Sequence, residues 1–524
     1  MAATAIDIGT SPDGPQSLAL KRANRHGLIA GATGTGKTVT LQVLAEEFAR
    51  EGVNVFAADV KGDLSGIAIA GDPPPGWAAD RAKEMGVTLT PEAQPAVFWD
   101  VYGELGLPVR TTITEMGPVL MSRVLEATDA QEGALTVAFK LADDWFKAGK
   151  NEGLLLNLAD LRALLNYMSE NADDIGKKYG LVTPQTISAL QRRLLQLEMD
   201  GAERLFGEKV LALDDLMRTR EDGKGTLNIL AAERLVQSPR LYSAFLLWLM
   251  SELWEELPEV GDADKPKLVF FFDEAHLLFR DASKELVQRV EQVVRLIRSK
   301  GVGIYFVTQS PTDIPDLVLS QLGNRIQHAL RAYTPADQKA VRAAAASFRS
   351  NPGVDVSKEI QELSVGEALV STLDDKGAPT PVARTKIRPP NSQVGPILLA
   401  KRKEMIEASD LRAAYETLID RESAHEILTA RSDASAQAVA EAEAQAAQAK
   451  ADAAAAAAQA KAAKKAAKTA PKPAPPPPPP PPPRARATPV TPTERVATRV
   501  ATGMFEALTH DLMRGILGTP RRRR

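Results

Sequence analysis

Apolar positions along the chain fall into two kinds of run. Short unbroken ones read as buried strands: Gly27–Ala30, Val53–Ala58, Thr226–Leu230, Leu268–Phe272 and Ile304–Val307, with a shorter strand-like piece at Ala96–Asp100. Longer ones repeat every three or four positions and read as helices. Thr40–Ala49 is the first of these, and Leu241–Leu257, closed by Pro258, is the longest apolar one. Residues 71–110 are rich in proline and glycine, and from about 111 to 220 the pattern is helical, with segments such as Val119–Leu125 and Leu190–Leu195. Strands alternating with helices predict an α/β fold with a mainly parallel sheet, interrupted by a helical insertion. The expected organisation is a core in two parts, 1–110 and 221–396, around an insertion at 111–220.

The first strand and helix flank Gly31-Ala32-Thr33-Gly34-Thr35-Gly36-Lys37-Thr38, a complete G-x-x-x-x-G-K-[ST] phosphate loop in its proper strand–loop–helix context. Glycines allow a tight turn in which successive N–H groups face one anion, and the helix start adds unsatisfied N–H groups. Lys37 is expected between the β- and γ-phosphates of ATP, and the Thr38 hydroxyl on Mg²⁺. Leu268–Phe272 delivers Asp273 and Glu274 to the same edge, since parallel strands present ligands at their carboxyl ends. Asp273 is the expected Mg²⁺ partner and Glu274 the candidate general base. Asp59 and Asp63, after Val53–Ala58, fall on that edge too, as phosphate-site residues or as a solvated turn. Gln309, ending Ile304–Val307, is placed to orient water or sense the γ-phosphate. The string Asp273-Glu274-Ala275-His276 suggests a DEAH-box helicase, but such enzymes resemble two tandem cores and one phosphate loop is present here; His276 is read as structural.

Composition narrows the setting. A formal charge of −3 gives no global basic signature, so any DNA site must be local. There are no cysteines, which excludes disulfides and thiol chemistry. Neither a signal peptide nor an apolar stretch long enough for a bilayer is evident, and a cytoplasmic protein is expected.

Gly31–Thr38, the Asp59-Val60-Lys61-Gly62-Asp63 turn, Asp273–His276, Val307–Ser310 and Leu322-Gly323-Asn324-Arg325-Ile326 occur in that order. Together they resemble the HerA–FtsK superfamily of hexameric DNA-pumping ATPases, and residues 5–396 are similar to a bacterial branch of HerA-like proteins. The resemblance implies a RecA-like core with an added strand between the two phosphate-site motifs. It implies Glu274 as base, Gln309 as sensor, and an arginine acting across a subunit boundary in a homo-oligomeric ring. Arg298, in a basic helix over Val290–Lys300, matches that arginine better; Arg325 is the second candidate. HerA proteins carry an N-terminal β-barrel, for which the residues before the loop leave no room. A motor that hydrolyses ATP and moves DNA is expected. Alternatives are a slow nucleotide-dependent scaffold and a motor acting on protein.

The chain after 396 changes character. Residues 397–470 are an expected helical extension, alanine-dominated over 424–468 and without large apolar residues at coiled-coil positions. A proline-rich linker, 471–492, contains nine consecutive prolines, a stiff spacer of roughly 28 Å. Residues 493–524 read as a basic amphipathic helix and tail; from 484 onward nine arginines oppose three acids, 9 − 3 = +6. Such an arm suits DNA, a protein partner or an anionic membrane surface, or else docks on its own core.

Overall fold

The computed structural model describes residues 4–261, 263–280 and 284–469; the expected proline linker and basic arm lie outside them. Twelve strands form one sheet: β1 (Ala5–Ser11), β2 (Gly14–Ala19), β3 (Gly27–Ala30), β4 (Asn54–Asp59), β5 (Ala96–Asp100), β6 (Leu107–Pro108), β7 (Leu227–Ala231), β8 (Leu268–Phe272), β9 (Val302–Thr308), β10 (Asn324–Gln327), β11 (Glu367–Ser371) and β12 (Ala383–Ile387). Their order is β2-β1-β12-β11-β10-β3-β9-β8-β4-β7-β5-β6. From β10 to β6 every pairing is parallel; from β10 through β11, β12 and β1 to β2 every pairing is antiparallel. The fold is therefore α/β around a mainly parallel sheet of RecA-like type. The expected added strand is β9, inserted between β3 and β8.

All residues of β3, β4, β8 and β9 are buried, as parallel strands covered on both faces require. Side-chain alternation assigns the two faces. Leu28, Phe56, Phe270, Phe272, Ile304 and Phe306 join one apolar cluster with the helical insertion and with α2 (Pro239–Glu256). Ile29, Val55, Val269, Phe271 and Tyr305 join the other with α1 (Lys37–Arg50). Rings on the first face run Phe56–Phe270–Phe272–Phe306 at centroid spacings of 5.0, 5.6 and 5.7 Å.

The insertion packs helices between Ile113 and Leu216. The basic helix expected over 290–300 is observed as α3 (Lys284–Ile297) followed by a 3₁₀ turn, Arg298–Lys300, and Gly301.

After β12 a strap, residues 388–397, crosses α1. Glu46 of α1 accepts from the backbone N–H groups of Asn391 and Ser392, each at 2.9 Å, and from the Ser392 hydroxyl. Gln42 donates to the Ser392 hydroxyl at 2.6 Å and to the Gln393 carbonyl at 2.9 Å. The chain divides into two units after Ala440. α4 (Ala424–Thr469) begins in the first, where Ala424 and Leu428 are buried and the Asp160 carboxylate accepts from the Ser423 hydroxyl and the His425 N–H. In the second unit the side chains of 441–465 are exposed.

Candidate active site

The phosphate loop hangs between the ends of two strands. Gly31 N–H donates to the Thr308 carbonyl of β9 at 3.2 Å, and Ala32 N–H to that of Ala329, just past β10, at 2.8 Å. Gly31 has φ +155°, and a Cβ there would lie 2.5 Å from the Cβ of His328, so close approach demands glycine. Gly36, at φ +110°, caps α1 in a conformation that side chains disfavour. Lys37, the first residue of α1, is buried and folds back over the loop, donating to the carbonyls of Gly31 at 2.6 Å and Ala32 at 3.1 Å. Burial lowers its pKa, and the Lys61 charge adds to that; Glu274 and Asp273 oppose both. Thr35 donates its hydroxyl to the Ala32 carbonyl at 2.7 Å. Thr33 and Gly34 form the exposed crest, and Thr38 is half-buried in the first helical turn. His328, fully buried under the loop, shares a 2.9 Å hydrogen bond with the Thr40 hydroxyl.

Two strands away, β8 ends in the acids. Asp273 turns back to accept from the Glu274 N–H at 2.9 Å, and the Tyr242 hydroxyl of α2 donates to its carbonyl at 2.9 Å. Glu274 has φ +48°, a left-handed conformation uncommon outside glycine and found disproportionately at functional sites. Its side chain is divided between partners. Oε1 pairs with the Lys61 ammonium at 3.1 Å; Oε2 accepts from Gln309 Nε2 at 3.3 Å and lies 3.3 Å from His276 Nδ1. Burial works against the Glu274 charge, but Lys61 above all, then Gln309 and His276, outweigh it and lower its pKa. Asp273 is pushed up to about 6 by burial and by the neighbouring Glu274.

Asp59, at the end of β4, uses both carboxylate oxygens within its own turn, accepting from Gly62 N–H at 2.8 Å and Leu64 N–H at 3.1 Å. Burial, with Asp63 and Glu233 nearby, pushes its pKa up to about 7. The turn it fixes carries Lys61 toward Glu274. The sequence alone gives Lys61 and His328 no role and reads His276 as structural. Their available signals were place alone: Lys61 two residues past a strand end, His276 beside the acids, His328 one residue past β10.

The two candidate arginines lie elsewhere. Arg298 precedes β9, whose seven residues span about 23 Å, so it sits at the amino edge of the sheet, opposite the phosphate loop. Its side chain is exposed. Arg325 pairs in register with Leu28 near the start of β3, at the same far edge. Its guanidinium donates to the carbonyls of Leu322 and Leu319, each at 3.3 Å. Neither reaches the loop of its own chain. Arg280 and Arg331 instead line an open cleft of about 700 Å³ with Ala32, Thr33, His276 and Gln309.

A glycine-cradled loop and a carboxylate pair ending parallel strands with one strand between them define the P-loop ATPase fold of RecA type. The chain belongs to the family described as helicase HerA-like, C-terminal, which matches residues 6–524. Two probable helicases of Methanocaldococcus jannaschii are similar to it. One is 34% identical over 120 residues, 22% of this chain and 21% of that protein; the other is 33% identical over 110 residues, 21% and 20%. The match thus spans about a fifth of each relative. Among solved structures, the bacterial conjugative coupling protein TrwB in unbound form is 16% identical with a TM-score of 0.48, covering 75% of this chain and 91% of that one. VirB4 of Thermoanaerobacter pseudethanolicus is 15% identical with a TM-score of 0.49, covering 74% and 96%.

Proposed function

We propose that the protein is an oligomeric motor that hydrolyses ATP and uses the energy to move along DNA. One observation carries the hydrolytic half: Gly31–Thr38, Asp273–Glu274 and Gln309 end three neighbouring parallel strands, β3, β8 and β9. The residues fit a magnesium–triphosphate. Lys37 already bonds two loop carbonyls, marking where an ammonium meets the loop, and Thr38 and Asp273 supply a hydroxyl and a carboxylate of the kind Mg²⁺ takes. Mg²⁺ held there would neutralise charge on the phosphates. Loop N–H groups and Lys37 bind the phosphates, Gln309 orients the attacking water, and Glu274 takes its proton. The water oxygen bonds to the γ-phosphorus while the bond to the bridging oxygen breaks, its electron pair leaving with ADP.

The DNA half draws on family membership and on the names of the two archaeal relatives, an analogy rather than a site. An ATPase assay with and without single- and double-stranded DNA tests both halves. Turnover stimulated by DNA, with stimulation falling steeply as salt rises, is the expected result. Glu274→Gln should keep ATP binding and lose at least about 100-fold in turnover, whereas Lys37→Ala should weaken binding. Near-normal hydrolysis by Glu274→Gln would remove it as base, and unstimulated turnover would remove DNA as the track.

A further inference from the structure

We infer that Lys61 is a positioning residue for hydrolysis: its ammonium holds the Glu274 carboxylate aimed, without itself binding the nucleotide. The inference rests on the proposed role of Glu274 as base.

Three observations support it. First, the contact is to the one carboxylate that ends β8 in a left-handed backbone, and it takes Oε1 alone, at 3.1 Å. Gln309 and His276 share the other oxygen. With both oxygens engaged by different partners, the carboxyl plane is held, which a lone hydrogen bond would not achieve. Second, the turn that presents Lys61 is itself built. Asp59, buried at the end of β4, holds the N–H groups of Gly62 and Leu64. Ser65 donates its hydroxyl to the Gly62 carbonyl at 3.2 Å. Gly62 sits at φ +75°, and a Cβ there would come 2.6 Å from Glu233 Oε1, so the turn is closed by glycine under a neighbouring side chain. A solvated turn needs none of this. Third, the charges are arranged for the purpose. Burial disfavours the Lys61 ammonium, yet the hydrogen bond to Glu274, with Asp273, Glu274 and Asp63 around it, raises its pKa. It is a permanent cation facing the acids.

An ion pair with one exposed partner is by itself weak, and an ordinary pair would leave turnover untouched. A positioning role predicts more. A base displaced by an ångström loses much of its advantage, because proton abstraction requires a near-attack geometry.

The test is a double-mutant cycle on the full chain, with turnover measured by phosphate release and binding measured with a fluorescent ATP analogue in Mg²⁺. Lys61→Ala should lower kcat about 10- to 100-fold, with KM and analogue affinity within about twofold of the parent. Lys61→Arg, which keeps the cation, should recover part of the loss. In a Glu274→Gln background, Lys61→Ala should have no further effect, because the group it positions is gone. An unchanged kcat for Lys61→Ala, weakened analogue binding, or an equal loss in both backgrounds overturns the inference while leaving Glu274 as base. Normal turnover by Glu274→Gln overturns the base and the inference together.

Discussion

His26 shows how much a single buried side chain can set. It ends the turn before β3 at φ +56°, is fully buried, and accepts the Ile304 N–H on Nδ1 at 3.0 Å. Burial, with Arg298 and Arg25 adding repulsion, lowers its pKa to about 3. An unfolded histidine titrates near 6.5, so below that value the unfolded chain binds a proton that the native one refuses. Stability from this group is therefore complete above about pH 6.5 and lost as pH falls toward 3. Between pH 7 and 5 the loss is about 2 kcal/mol. Other buried acids carry the opposite slope, so the measurement is a difference: urea midpoints of the parent and of His26→Asn, at pH 7 and pH 5. Asparagine tolerates positive φ but does not titrate, and the parent should lose about 2 kcal/mol more over that interval. Equal losses would mean His26 titrates in the folded protein as it does in the unfolded one.

Elements were legible in the sequence wherever one local pattern decided them. β8 spans the five apolar residues before Asp273, and α1 starts at the lysine of the loop. What covers an element was not. The first helix is read from its apolar positions alone, yet its polar Gln42, Glu46 and Glu47 are buried as well. The strap that covers them comes from residues 388–397, and nothing near α1 announces it. Glu46→Ala should therefore cost roughly 3 kcal/mol in a denaturant titration, since it leaves the Asn391 N–H, the Ser392 N–H and the Ser392 hydroxyl without their acceptor. A cost under about 0.5 kcal/mol, the usual surface value, would show that the strap is dispensable to α1. The same limit explains the site. Loop, acids and Gln309 could be named from motifs, because spacing along a strand end fixes their place. Lys61 and His276 could not, because their contacts depend on how a turn folds across from β4 and on which way one histidine faces.

At the scale of the molecule, the carboxyl edge holds the loop, the acids and the glutamine, while Arg298 and Arg325 lie at the amino edge. An arginine acting on the γ-phosphate from there must act on a neighbour's, which suits a ring, and the hexamer of the family resemblance is the proposed form. The two arginines should separate. Arg298, exposed, should abolish turnover when changed to Ala without affecting stability. Arg325, whose guanidinium caps the Leu319 and Leu322 carbonyls, should lower stability by about 1–2 kcal/mol instead. Mixing inactive Glu274→Gln subunits with inactive Arg298→Ala subunits should restore part of the turnover, because some interfaces then pair an intact base with an intact arginine. No recovery, or active protein sedimenting only as a monomer, would place the site within one subunit.

The sheet order also bears on how the chain comes to be folded on the ribosome. β3, which carries the phosphate loop, emerges well before its two partners, β9 and β10. At roughly 5–20 residues per second of synthesis, on the order of 15–55 s pass before Thr308 follows Ala30 out. The hairpin β1–β2 waits longer still, for β12. For that interval the nascent chain holds a hydrophobic strand and a glycine-rich loop without either partner strand, so chaperone demand should concentrate on β1 to β3 and the loop that follows.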